Sequence, residues 1–249
     1  MGLDLTGTKE ATALAVRHFW TTRDTSGQIQ SQGPSAQGGS RGAVLSGKNM
    51  DGFLPVIERV VHQNGLENAR IFTSGNNLVL PGYFRPTKKW DILVFSGPVL
   101  VAALELKSQV GSLGNNFNNR TEEALGTAHD LQTAIRESAL GEGNPLPFLG
   151  WVMLLEETPQ AIAPVREATP HFPVDAIFQN ASYAKRYHVL CQRMMVERLY
   201  DGAALMLSTA ASGAATGAHR DFDATTSFDN FLAKLAGHVA AFAHTFAPK

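Results

Sequence analysis

Two apolar runs and the short break between them leave this chain few options: Trp90-Asp91-Ile92-Leu93-Val94-Phe95, then Ser96-Gly97-Pro98, then Val99 to Lys107. Both runs have strand length and the break is turn chemistry, so they predict a β-hairpin. Strand side chains alternate between faces, which places Glu105 and Lys107 on one face with Val99, Val101 and Ala103, and Leu104 and Leu106 on the other. If Ser96-Gly97-Pro98 is the whole loop, Phe95 faces Val99 and Asp91 faces Ala103, diagonal to Glu105 and on its face. One residue of slip would separate the two carboxylates. Two carboxylates and an ammonium at the end of a buried hairpin are costly to desolvate unless a cation or an anionic substrate completes the set. Hard oxygen donors of this kind suit Mg²⁺. A Glu-x-Lys step alone is more often a strand end reaching water, and it is Asp91 that turns it into a candidate site.

The rest of the chain sets bounds on that site. A length of 249 residues allows one large domain with a substantial core or two small ones, and a single domain across 1–249 is expected. The single cysteine, Cys191, excludes an intramolecular disulfide and a Cys-based zinc cluster, and its apolar-periodic surroundings predict a buried thiol. No apolar run reaches the length of a membrane span and no charged-then-apolar leader opens the sequence, so a cytoplasmic protein without membrane contact is expected. The net charge of −1 counts against a nucleic-acid binder unless acids of a metal site offset a local basic groove.

Taken in order, Asp4 to Arg23 has helical spacing of apolar residues, and Thr25 to Lys48 is a Gly/Ser/Gln-rich loop or arm with little to bury. A helix over Asp51–Asn64 follows, with Asp51 as N-cap and Glu58 inside the stripe of Leu54, Ile57 and Val61. Ala69 to Phe84 is a broken strand pattern. Beyond the hairpin, Gln109 to Asn119 is a polar loop opening a helix from about Asn119 to Ala139. Asn can bond adenine and Arg guanine bidentately, so Asn115, Asn116, Asn118, Asn119 and Arg120 could read bases beside the catalytic strand, although Asn-rich loops are also ordinary turns. Phe148 to Leu155 suits a central strand, and Glu156 to Ala181 is a long irregular connection. Ser182 to Leu207 returns to helical spacing, with a basic side that includes Lys185 and Arg186 and could meet phosphates. Ser208 to Gly217 is small and flexible, and Thr226 to Phe246 is a last helix that closes the core or forms a dimer contact.

Asp91 followed by Glu105-Leu106-Lys107 resembles the PD-(D/E)xK nuclease pattern, with Trp90 where that pattern has proline. The longer block from Glu105 through Ser112, followed by Gly114-Asn115-Asn116-Phe117-Asn118-Asn119-Arg120-Thr121-Glu122-Glu123, resembles the XhoI-type type II restriction endonucleases. The resemblance implies an α/β fold with a central mixed β-sheet flanked by helices, in the order αβββαβ over a catalytic core at 49–156, with extra N- and C-terminal helices. That is also the order the pattern gives. It implies Asp91, Glu105 and Lys107 as catalytic residues, and Mg²⁺ held by Asp91, Glu105, the Leu106 carbonyl and Glu58 of the first core helix. DNA contacts would come from Gln109 and the Asn115 to Arg120 stretch. The implied reaction cuts double-stranded DNA at the palindrome CTCGAG after its first C, leaving 5′-phosphates. The implied partners are a second copy of the chain and a cognate DNA methyltransferase that protects host DNA. The residues leave open a structure-specific repair or resolving nuclease of the same fold, and a non-catalytic DNA-binding relative.

Overall fold

The computed structural model describes residues 2–31, 49–167 and 169–246. The two apolar runs form β4 (Ile92–Ser96) and β5 (Val99–Gln109), and among the described residues they lie inside a six-stranded sheet of order β1-β4-β5-β6-β7-β8. β1 (Arg70–Phe72) pairs antiparallel with β4, and β4 antiparallel with β5. β5 runs parallel to β6 (Phe148–Glu156), β6 parallel to β7 (Gly202–Ser208), and β8 (Arg220–Asp221) closes the edge antiparallel. The sheet is therefore mixed.

Its parallel strands are buried on both faces, which is why β6 reads as an almost unbroken apolar run. One face is covered by α1 (Thr8–Ser31), α2 (Leu54–Gln63) and α7 (Phe228–Phe246), which pack Phe19, Ile57, Phe231 and Leu235 on Val94, Leu104 and Val152. On the other, α3 (Leu113–Arg136), the short α4 (Pro159–Ile162) and α5 (Tyr183–Val196) bring Ala128, Leu131, Ala161, Tyr187 and Met194 to Leu93, Ala103, Trp151 and Leu205. The core order α2-β1-β4-β5-α3-β6 is the expected αβββαβ, with α1 before it and α7 after it. No helix among the described residues is long and apolar enough to cross a membrane.

Several local expectations are corrected. The broken strand pattern after Ala69 divides: β1 enters the main sheet, while β2 (Val79–Pro81) pairs antiparallel with β3 (Thr87–Lys89) as a separate ribbon inserted before β4. The helix after Ser182 ends at Val196, and Gly202–Ser208 is a strand. Ala203, Ala204, Leu205 and Met206 are good helix formers, and only burial between two layers makes them a strand. Nor is 208–217 loose: α6 (Ala210–Thr216) packs on α1, and a Cβ on Gly213 would meet Trp20 Cδ1 at 2.1 Å. Its small residues serve that close approach. α1 runs on to Ser31, into the stretch expected as an arm, and the remainder of that arm, 32–48, lies outside the described residues. Asp51 opens a 3₁₀ turn (Asp51–Phe53) ahead of α2 instead of capping it. The last helix closes the core, packing on α2, β6 and β7.

Candidate active site

The hairpin turn is one residue tighter than the sequence suggested. Ser96 pairs with Val99 and Phe95 with Leu100 around Gly97 and Pro98, a change that by itself would send Asp91 to the wrong face. A bulge between Val94 and Phe95 adds a second shift, so that Val94 pairs with Ala102, Leu93 with Ala103 and Ile92 with Leu104. The two shifts add to two residues, which restores the face. Continuing the register sets Asp91 opposite Glu105, on the same face. The bulge corrects the expected facing of Val99 and Val101, which pack with Ala102 against the α1, α2 and α7 layer, away from Glu105.

Asp91 lies just beyond the end of β4, and the strand edge it leaves open fixes its carboxylate. Its N–H donates to the Leu104 carbonyl at 3.3 Å, and the Leu106 N–H donates to its Oδ2 at 2.8 Å. Leu104 and Leu106 thus both turn their backbone polar groups toward β4, which puts the Leu106 carbonyl on the side of Asp91. The Lys107 ammonium pairs with Glu105 Oε2 and lies 3.5 Å from Asp91 Oδ2. A second ammonium, from Lys88 on β3, lies 2.5 Å from Glu105 Oε1. Lys88 was not singled out in the sequence, where no spacing ties it to Glu105.

Burial sets the electrostatics. The Glu105 side chain is only 3% exposed; burial opposes its charge, but Lys107 and then Lys88 outweigh that and hold its carboxyl below the ordinary value. Burial likewise opposes the charge on Lys107, and Glu105 and Asp91 together hold its ammonium above the ordinary lysine value. For Asp91 burial prevails over Lys107, and with repulsion from Glu105 its carboxyl is raised. Two cavities flank these groups. One, of about 790 Å³, is lined by Lys88, Glu105, Lys107 and Arg120; the other, of about 380 Å³, by Asp91, Leu106, Lys89, Asp51 and Leu54.

The other expected site residues are distributed unevenly. Glu58 is half-buried on α2, the second cavity is bounded there by Asp51 of the 3₁₀ turn and Leu54 of α2, and among the described residues Glu58 forms no three-acid cluster with Asp91 and Glu105. Gln109 is buried and holds its own loop: Nε2 donates to the Gly111 carbonyl at 2.5 Å and Oε1 accepts from Tyr187 at 3.2 Å. Asn115, Asn116, Asn118, Asn119 and Arg120 lie in the first turns of α3, which begins at Leu113 and not near Asn119. Asn118 and Asn119 are exposed, Asn116 is half-buried, and the Asn115 side chain lies outside what is described. Arg120 reaches the larger cavity, where it pairs with Glu123 at 2.7 Å. Lys185 sits over the Phe222 ring at 5.9 Å, beyond β8 at the far edge of the sheet. Arg186 is buried, paired with Glu167 and donating to the Ala181 carbonyl at 3.1 Å, so it fastens the long connection instead of facing a ligand. Cys191 is buried and burial pushes its thiol up, away from reactivity.

Among the described residues no cluster of three or more His, Cys, Asp and Glu is formed. The oxygen set is two carboxylates and one backbone carbonyl beside open space, which fits Mg²⁺, a cation that uses one or two carboxylates and keeps several waters.

Comparison with known proteins gives a concordant result. The model of the restriction endonuclease XhoI family matches residues 28–220. The type II restriction enzyme XhoI of Xanthomonas vasicola is 52% identical over 79% of this chain and 79% of its own. BstVI of Geobacillus stearothermophilus is 45% identical over 81% of this chain and 92% of its own, and AbrI of Azospirillum brasilense 48% over 69% and 77%; both are type II restriction enzymes. No solved structure matches the chain.

Proposed function

The chain belongs to the restriction endonuclease XhoI family and is a site-specific deoxyribonuclease, and from that premise we propose that it cuts double-stranded DNA at CTCGAG after the first C. The observation that carries the reading is the convergence of Asp91, Glu105 and Lys107 on one face of the β4–β5 hairpin. Asp91 and Glu105, with the Leu106 carbonyl, would hold Mg²⁺. When bound, the cation supplies a water of lowered pKa and charge neutralisation at the phosphate. Lys107, held as an ammonium by Glu105 and Asp91, orients the attacking water or offsets charge on the phosphate oxygens, and the proton of that water passes to solvent. Water oxygen bonds to phosphorus as the bond from phosphorus to the 3′-oxygen breaks, and the 3′-oxygen takes up a proton, leaving a 5′-phosphate and a 3′-hydroxyl.

A palindromic site is matched by a two-fold protein, so the working form is a homodimer that presents one such centre to each strand. The exposed start of α3, with Asn118, Asn119 and Arg120, lies beside the catalytic strand and is the surface we assign to DNA contact. The enzyme would work in the cytoplasm, with a DNA methyltransferase of the same specificity protecting the host.

Digestion of a long mapped DNA with and without Mg²⁺, beside Lys107→Ala, followed by sequencing of the fragment ends, tests this. Discrete Mg²⁺-dependent ends at CTCGAG, lost in the variant, are expected. Discrete ends elsewhere would overturn the specificity, random nicking would favour a structure-specific nuclease, and no cleavage by folded protein would leave a DNA-binding relative.

A further inference from the structure

The β2–β3 ribbon is not needed to complete the sheet, yet its tip is held with unusual care. Asp130 of α3, itself 3% exposed, accepts from the Tyr83 N–H at 2.9 Å, the Phe84 N–H at 2.8 Å and Arg85 Nε at 2.7 Å. Gly82 is clamped as closely: a Cβ there would meet the Arg85 carbonyl at 2.6 Å and Asp130 Oδ2 at 2.7 Å. What this fastening presents to solvent is apolar. Tyr83 is 54% and Phe84 66% exposed, set edge to face at 4.9 Å, with Phe84 stacked on His129 at 5.5 Å. A buried carboxylate is an expensive way to shape a surface loop, and two large aromatics are a poor choice for water.

Charge says what the tip is shaped for. From Val79 to Trp90 there is no acidic residue, while Arg85, Lys88 and Lys89 are cationic, in a chain whose net charge is −1. At the other end of the ribbon Lys88 touches Glu105, and Phe84, Arg85 and Lys88 share one cavity wall with Glu105, Lys107 and Arg120. The ribbon therefore runs from the catalytic carboxylate to an aromatic tip, with Lys88 matched by Glu105, Arg85 by Asp130, and Lys89 exposed to solvent.

Building on the nuclease reading, we propose that the β2–β3 ribbon enters the major groove next to the cut phosphate and that Tyr83 and Phe84 contact bases there. A two-stranded ribbon fits that groove, an aromatic ring can pack on the thymine methyl group exposed there, and a tip fixed before binding loses little freedom on docking.

The test is binding of a labelled duplex, read by fluorescence anisotropy in EDTA and with Ca²⁺, together with photo-cross-linking. Tyr83→Ala and Phe84→Ala each weaken binding to CTCGAG duplex about tenfold, and about 100-fold together, with melting temperature and oligomeric state unchanged. A 5-iodouracil in place of the thymine of the site, whose iodine lies in the major groove, cross-links to the peptide carrying Tyr83 and Phe84. Full affinity in the double variant, or a cross-link that maps to another peptide, overturns the proposal. Loss of the dimer in the variants would instead assign the aromatics to a second copy of the chain and overturn it equally. Because binding is read without cleavage, a wild-type protein that binds through the ribbon but never cuts would sink the nuclease reading and leave the ribbon standing.

Discussion

Glu105 within β5 and Arg186 at the start of α5 are both buried charges with opposite partners, but they are completed differently. Arg186 is matched by Glu167, two backbone carbonyls and the Tyr183 ring, whose centroid lies 4.9 Å from its guanidinium carbon. Its partners on the chain, Val165 and Ala181, lie along or at the end of the long connection, so the charge acts as a fastener. Glu105 instead shares its surroundings with a second carboxylate whose ionisation burial resists, and two lysines stand in for what that pair requires. Buried charge alone does not mark a catalytic site. What sets the Glu105 cluster apart is two carboxylates and two ammonium groups crowded at a cavity, on side chains long enough to move.

Six substitutions sharpen or break that contrast. The largest effect is expected at the first cluster: Glu105→Gln or Lys107→Ala should lower the cleavage rate about 10³-fold while the far-ultraviolet spectrum stays that of the wild type. Near-normal turnover in either would place the chemistry elsewhere. Arg186→Met should do the reverse, losing about 2 kcal/mol of stability in urea unfolding with the rate per folded molecule unchanged.

Asp91→Asn should separate function from stability within one residue. Cleavage is lost, yet the metal-free protein should melt about 1–2 °C higher, a modest gain because Asp91 is partly screened by solvent. The sign follows from its raised carboxyl. A carboxyl raised on folding contributes most below its unfolded value, and that contribution is lost as pH rises through the folded value. The gap between variant and wild type should therefore open on going from acid to neutral pH, and a gap that widens in acid would contradict the assignment.

The smallest effect concerns the helix side of the site. Asp51→Asn should raise the Mg²⁺ concentration for half-maximal cleavage about threefold, because it removes a negative charge from the cavity wall that holds Asp91. Glu58→Gln should leave that concentration unchanged. The opposite ranking would return Glu58 to the metal site.

Much of this was legible because it depends on local pattern. Strand alternation put Glu105 with Lys107, apolar runs bounded by turns gave β4, β5 and β6, and periodicity gave α2 and α7. Arg186 and Gln109 were misread because a polar side chain looks the same in sequence whether it meets a ligand or a buried carbonyl. β7 was missed because Ala, Leu and Met favour a helix until two layers close over them.

By itself, then, the sequence determined the order of the core elements and the residue types that gather at the end of the hairpin, since side-chain alternation and turn chemistry act over a few residues. Tertiary structure alone decided that Asp91 stands level with Glu105, through a tight turn corrected by a bulge, and that Lys88 closes the site from a ribbon outside the main sheet. Register and long-range pairing are chosen by how whole faces pack, and no spacing along the chain records that choice.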